Sequence, residues 1–198
     1  MKPDYRCATF MLGVAQLSQL PPDEGIEVAF AGRSNAGKSS VLNRLTQNKQ
    51  LARVSKTPGR TQQINLFALD ETRRLADLPG YGYAKVPPAV SAEWQKRLGQ
   101  YFFQRESLKG CVLVMDIRHP LKPFDCDLLD WASQSQLSVH ILLNKADKLT
   151  ASEKIRTLRA VTTKLATWAG DNTVQIFSAE KGTGLDDLRA RLDTWFTE

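Results

Sequence analysis

Short apolar runs alternate along the chain with stretches whose apolar residues recur every three or four positions, the pattern of a βαβ protein. Residues 26–31 form a short apolar strand that runs at once into a glycine-bearing loop, and residues 39–47 follow with helical spacing. Residues 49–62 have no period and contain Pro58-Gly59, so they read as a loop. Residues 64–69 and 73–77 read as an antiparallel pair of strands turning at Asp70-Glu71. A second loop, residues 79–90, is rich in Gly, Tyr and Pro. Ser91 then reads as the cap of a helix carrying Trp94, Leu98, Tyr101 and Phe102 at helical spacing. Such a stripe can serve as a base-stacking platform, but here it reads as core.

Residues 111–115 and 139–143 are continuous apolar runs, the mark of strands buried on both faces of a parallel sheet. His140, inside the second run, reads as structural rather than as a ligand. A helix is expected between them at 125–135, a long amphipathic helix at 152–168, a last strand at 174–177 and a closing helix at 185–196. The pattern predicts an α/β, three-layer fold with a mostly parallel six-stranded sheet and helices on both faces. No repeat, linker or low-complexity tract interrupts it. One domain is expected over 1–198, with a leading segment, 1–25, packing on a core of 26–198.

Composition narrows the class. The chain has 198 residues, 42% hydrophobic and 24% charged, long enough for a core and too ordinary for disorder or a fibre. Cys7, Cys111 and Cys126 are odd in number and form no CxxC pair, which argues against a disulfide framework or a zinc cluster and fits a reducing compartment. Lys2 and Arg6 precede an apolar stretch at 7–17, but Asp4, Thr9 and Gln16 break the signal-peptide pattern and no small-residue cleavage site follows. No run approaches the ~20 apolar residues of a membrane span. A cytoplasmic protein without membrane insertion is expected. The net charge of +6 is uneven: no acidic residue lies between Glu27 and Asp70, a stretch holding Arg33, Lys38, Arg44, Lys49, Arg53, Lys56 and Arg60. Either a phosphate site and a solvated face tolerate that charge, or the surface meets a polyanion such as RNA.

The chemistry begins at Gly32-Arg33-Ser34-Asn35-Ala36-Gly37-Lys38-Ser39, which matches the phosphate-binding P-loop pattern G-x4-G-K-[ST] and runs on into Ser40. Glycines let the backbone curl until its N–H groups face the phosphates, and the following helix adds its positive end. Lys38 can reach the β- and γ-phosphates, and the Ser39 hydroxyl can ligate Mg²⁺. The position after a strand and before a helix is the context that the motif needs. Asp77-Leu78-Pro79-Gly80 follows another strand, so the Asp77 carboxylate can hold Mg²⁺ and the Gly80 N–H can approach the γ-phosphate. Alone, the tetrapeptide would be an ordinary turn.

Asn144-Lys145-Ala146-Asp147 ends the second buried strand, at the carboxyl edge where α/β folds bind ligands. Asp147 can accept hydrogen bonds from the ring N–H and exocyclic amine of guanine, donors that adenine lacks. The Lys145 stem can lie over the base, and Asn144 can tie this loop to the P-loop. In order after the other two motifs, this one points to GTP. Ser178-Ala179-Glu180 follows the last strand, where the Ala179 N–H is placed to meet the guanine carbonyl, and Phe177, Ser178 and Ala179 are counted with the nucleotide-binding residues. Within Thr57-Pro58-Gly59-Arg60-Thr61, two threonines are candidates to sense the γ-phosphate and Mg²⁺. Thr61 is favoured, with Gly59 and Arg60 beside it, and Thr57 reads better as a surface threonine.

The ordered set G-R-S-N-A-G-K-S-S, T-P-G-R-T-Q, D-L-P-G-Y-G-Y-A and N-K-A-D resembles the bacterial ribosome-assembly GTPases called EngB, YihA or YsxC, within the TrmE-Era-EngA-EngB-Septin-like GTPases. The resemblance runs from about Glu27 to the C-terminus. Ala36 replaces a valine common there, and Ser-Ala-Glu is a loose match. Membership implies a monomeric Ras-like P-loop GTPase fold, Mg²⁺ with GTP or GDP, and slow hydrolysis. It also implies work in late assembly of the large ribosomal subunit, on rRNA and ribosomal proteins, with loss appearing as a division or septation defect. Lys38, Thr61, Gly80 and Asn35 are the expected catalytic set. Ser39, Thr61 and Asp77 are the expected metal ligands.

Tyr81 stands where Ras-like proteins carry a water-orienting glutamine, so hydrolysis is expected to be slow until a partner or a monovalent cation assists. Asn35 motivates K⁺, since GTPases with Asn there often use it to hold that ion; simple hydrogen bonding within the loop is the alternative. At the level of function, a GTP switch on pre-ribosomal particles stands against a division-linked regulatory module. A metabolic P-loop kinase is disfavoured by N-K-x-D and the lack of a second substrate motif.

Overall fold

The computed structural model describes residues 2–52, 63–82 and 87–197. Its strands are β1 (Thr9–Val14), β2 (Ile26–Gly32), β3 (Ile64–Ala68), β4 (Arg73–Asp77), β5 (Leu108–Asp116), β6 (Ser138–Asn144) and β7 (Thr173–Ile176). Its helices are α1 (Lys38–Thr46), α2 (Pro88–Gln104), α3 (Pro123–Gln134), α4 (Ala151–Leu165) and α5 (Leu185–Thr197). The sheet runs β1-β3-β4-β2-β5-β6-β7, parallel from β4 to β7 and antiparallel at β1-β3 and β3-β4.

Among the described residues the sheet has seven strands rather than the six read from the sequence. The extra one is β1, which adds the leading segment to the edge of the sheet. Only Val14 of β1 is buried, and Phe10 and Met11 face outward, so the strand lacks the in–out alternation that would have revealed it. Helix α2 also starts earlier than expected. Pro88 takes its first turn, where a missing N–H costs nothing, and the Ser91 N–H already donates to the Pro87 carbonyl, so Ser91 is inside the helix and is not its cap.

The period of two along β2 sorts the core. Val28 and Phe30 pack with α1 and α5, whereas Ala29 and Ala31 pack with α2, α3 and α4. The aromatic stripe of α2 is core, with Trp94, Leu98, Tyr101 and Phe102 all buried. His140 is structural: Nδ1 meets the Thr173 hydroxyl and Nε2 the Gln175 side-chain oxygen, each at 2.7 Å. No helix among the described residues is long and apolar enough to cross a membrane.

At the amino end of the parallel strands, Glu27 is wholly buried. Its carboxylate accepts from Arg74 at 2.9 Å, from Arg105 at 3.1 Å and from the Tyr101 hydroxyl, so β2, β4 and α2 close on one charge. Cutting a buried charge from its partners costs about 3–5 kcal/mol, because the remaining ions keep their desolvation without their attraction. Glu27→Ala is therefore expected to lower the free energy of unfolding by roughly that amount, read as a lower denaturation midpoint in urea. A change below ~1 kcal/mol would mean that the two arginines relax into water.

Candidate nucleotide site

Four loops meet at the carboxyl edge of the sheet. The P-loop leaves β2 at Gly32 and turns through Asn35, at φ 66°, and Gly37, at φ 97°. Gly37 must be glycine here on two counts, since a Cβ would be strained at that φ and would strike the Asn144 amide. Lys38 and Ser39 then open α1, so the loop amides and the helix end face one space. Ser40 continues the helix on its exposed side.

Asp77 ends β4 beside Phe30 of β2, and its carboxylate pairs with the Lys38 ammonium, both side chains being only 10% exposed. The Ser39 hydroxyl and the Asp77 carboxylate are hard oxygen donors on adjacent elements, the kind that Mg²⁺ takes when it keeps several waters and phosphate oxygens as its other ligands. Past Asp77, the chain stays on the P-loop. The Leu78 N–H donates to the Phe30 carbonyl, the Ser34 N–H to the Tyr81 carbonyl at 2.7 Å, and Gly80 packs against the Ser34 backbone. Pro79 is half-buried between them.

The end of β6 carries the strongest tie. Asn144 is buried, donates to the Ala36 carbonyl at 2.9 Å and accepts from the Ala179 N–H at 3.1 Å. Lys145, at φ 65°, sends its ammonium to the Asn35 carbonyl and to Asp116 at 3.2 Å. Burial alone would raise the Asp116 carboxyl, yet hydrogen bonds from Arg118 and Lys145 hold it well below the usual carboxylate range. Asp147 takes a hydrogen bond from the Ser178 hydroxyl at 2.6 Å, which lowers its pKa and keeps it ionised. A carboxylate so held can accept two hydrogen bonds from one edge of a base.

Several placements differ from those the sequence suggested. Leu78 is fully buried in the core, so only its backbone remains for a ligand. Phe177 is also fully buried, with its N–H on the Leu143 carbonyl and its carbonyl on the Ala146 N–H, so it supports the site without lining it. The Ala179 N–H, expected to meet the guanine carbonyl, donates to Asn144 in this structure. Arg33 turns its guanidinium against Gly82. The Asn35 side chain has no hydrogen bond within the loop among the described residues. Thr57, Gly59, Arg60 and Thr61 lie outside the described residues.

A family model described as "50S ribosome-binding GTPase" matches residues 27–145. "Probable GTP-binding protein EngB" of Vibrio parahaemolyticus is 52% identical over 99% of this chain and 90% of its own length. That of Pseudoalteromonas atlantica is 58% identical over 97% and 93%. The chain belongs to the EngB family of P-loop GTPases. It binds guanine nucleotide and hydrolyses GTP to GDP and phosphate. Its fold matches a crystal structure of a probable GTP-binding protein EngB, with TM-score 0.67 and 22% identity over 86% of this chain and 98% of that one. It also matches Era in complex with MgGDPNP and a 16S ribosomal RNA segment, with TM-score 0.63 and 20% identity over 87% and 57%.

Three contributors to this EngB-family site were not singled out from the sequence. Asp116 could have been noticed as a lone carboxylate closing an apolar run at the carboxyl edge. Arg44 was counted only as surface charge, but it donates to the Ala179 carbonyl at 2.6 Å and to the Glu180 carbonyl at 2.5 Å, pinning the Ser178 loop to α1. Asp125 accepts the buried Tyr81 hydroxyl, and no local signal announces a pair so far apart in sequence. Asn144→Ala would leave the Ala36 carbonyl and the Ala179 N–H without partners, at about 1–3 kcal/mol each. GDP affinity measured by titration calorimetry is expected to fall by roughly 30-fold or more. A loss under about threefold would show that the two loops hold their positions without it.

Proposed function

We propose that this chain is a GTP-driven switch of the bacterial cytoplasm that acts on the large ribosomal subunit or its assembly intermediates, as a single G domain over 1–198. The observation that carries the reading is the convergence of the P-loop, Asp77 and the Asn144–Asp147 turn on one sheet edge, in a chain whose family model is described as ribosome-binding. In this reading Asp147 selects guanine by accepting from its ring N–H and amine, and the Lys145 stem covers the base. P-loop amides from Ser34 to Ser39 and the Lys38 ammonium hold the phosphates, and Mg²⁺ supplies Lewis-acid charge where Ser39, Asp77 and Thr61 would hold it. The Gly80 N–H would approach the γ-phosphate, and the segments that the sequence suggests as loops, 49–62 and 79–90, would respond to its presence.

The Tyr81 side chain is buried and bonded to Asp125, so it does not orient water, and slow intrinsic turnover follows. Asn35, with its side chain outside the loop's own hydrogen bonding, is proposed to hold K⁺ beside the phosphates. Hydrolysis in K⁺ is then expected to exceed that in Na⁺ by about tenfold or more, a difference of ~1.4 kcal/mol in the barrier. Equal rates in the two salts would remove the cation from the mechanism.

Sedimentation with large ribosomal subunits tests the switch itself, comparing a non-hydrolysable GTP analogue, GDP and no nucleotide at near-physiological salt. Binding that requires the GTP form is expected, and loss of the gene should then appear as a growth or septation defect with immature subunits. Absence from the subunit fraction in all three states would move the assignment to a division-linked regulatory module.

A further inference from the structure

Beside the nucleotide loops lies an open groove of about 510 Å³ lined by Arg33, Gly82, His119, Lys122, Pro123 and Phe124. Its charge is one-sided. No carboxylate lines it, and neither the Arg33 guanidinium nor the Lys122 ammonium has an ion-pair or hydrogen-bond partner among the described residues. That contrasts with Arg44, Arg74, Arg97, Arg105, Arg118 and Arg191, which are all engaged by backbone carbonyls or carboxylates. The carboxylate that might have neutralised the groove, Asp125, is turned inward, taken up by the Tyr81 hydroxyl and the Lys122 N–H. Phe124 is half-exposed and fixed in place, with its ring 4.1 Å from that of Tyr81 and edge-on to Trp131 at 5.8 Å. The groove therefore joins two cations, near the Asp125 carboxyl but without a direct ion pair or hydrogen bond among the described residues, to a packed apolar floor.

We propose that this groove docks single-stranded RNA, with Arg33, Lys122 and His119 on consecutive phosphates and Phe124 beneath an unstacked base or its ribose. The apolar floor favours a single strand over a duplex, whose bases are stacked and whose phosphates alone would reach the cations. It also favours RNA over a polycarboxylate without aromatic groups, which has no flat face to place there. The proposal rests on the ribosomal reading above and names the surface that would meet rRNA. Two walls of the groove, Arg33 and Gly82, belong to the loops that hold the nucleotide, so the RNA contact sits on the switch itself.

The test measures binding of a labelled oligouridylate of about ten nucleotides by anisotropy across a salt series. It compares the GDP-loaded wild-type protein with Lys122→Gln and with Lys122→Glu. Lys122 lies outside the pocket lined by Ser34, Asn35, Ala36, Asp116 and Lys145, so unchanged GDP affinity shows that each variant is folded. Lys122→Glu is expected to bind RNA about tenfold more weakly at 0.1 M salt, and each variant to lose ~0.7 from the salt slope for the lost phosphate contact. Equal affinity and slope in all three proteins would overturn the groove, as would polyglutamate of matched charge displacing the RNA equally well. Wild-type protein that sediments with subunits but binds no RNA overturns the groove and leaves the ribosomal function standing. RNA binding lost in the variants, without sedimentation of the wild type, upholds the groove and removes the ribosome.

Discussion

The nucleotide site depends first on the Asn144 side chain. Its amide is buried and satisfied at both ends, donating a hydrogen bond to the P-loop carbonyl of Ala36 and accepting one from the Ala179 N–H. A short planar side chain with one donor end and one acceptor end is what two loops need when each presents one orphan backbone group. Because Asn144 ends β6, the P-loop inherits the position of the sheet, and the sheet is held by continuous burial of β2, β5 and β6. The tolerance is small. Gly37 passes so close to this amide that no side chain fits between them.

Charge is handled in the same way at both ends of the sheet, by pairing it before burying it. At the amino end, Glu27 is closed off by Arg74, Arg105 and Tyr101, and nothing reaches it from solvent. At the carboxyl end, Lys38 and Asp77 face each other at the mouth of the P-loop, and Lys145 meets Asp116. The first network is closed and serves stability. The others sit where phosphate oxygens and a divalent cation could exchange with the existing partners without exposing an uncompensated charge.

Most of this was readable where the signal is local. The P-loop, D-x-P-G and N-K-x-D motifs each need only a few adjacent residues, and each directly follows a short strand that the sequence marks out. Contacts to distant partners leave no local signal. The bond from the Ala179 N–H to Asn144 joins residues 35 positions apart. Leu78 and Phe177 adjoin loop residues in the sequence, and only the structure shows that their side chains are buried in the core just past the ends of β4 and β7. Strand β1 escaped because an edge strand with one solvated face and outward Phe10 has little pattern to show. Arg44 looked like surface charge because its acceptors are backbone carbonyls, which leave no trace in composition.

Tyr81 shows how a missing catalytic side chain can be a structural choice. The position after Gly80 would face the phosphates if it carried a flexible amide. Here the ring is turned into the core at 4% exposure, packed on Phe124, with its hydroxyl on Asp125. Burial drives the Asp125 carboxyl upward, although bonds from Tyr81 and the Lys122 N–H oppose that rise. The Asp125 carboxylate also caps α3 through Lys122, so withdrawing Tyr81 would cost a buried hydrogen bond, a ring stack and part of a helix start together. A side chain held by three interactions does not swing out to align water.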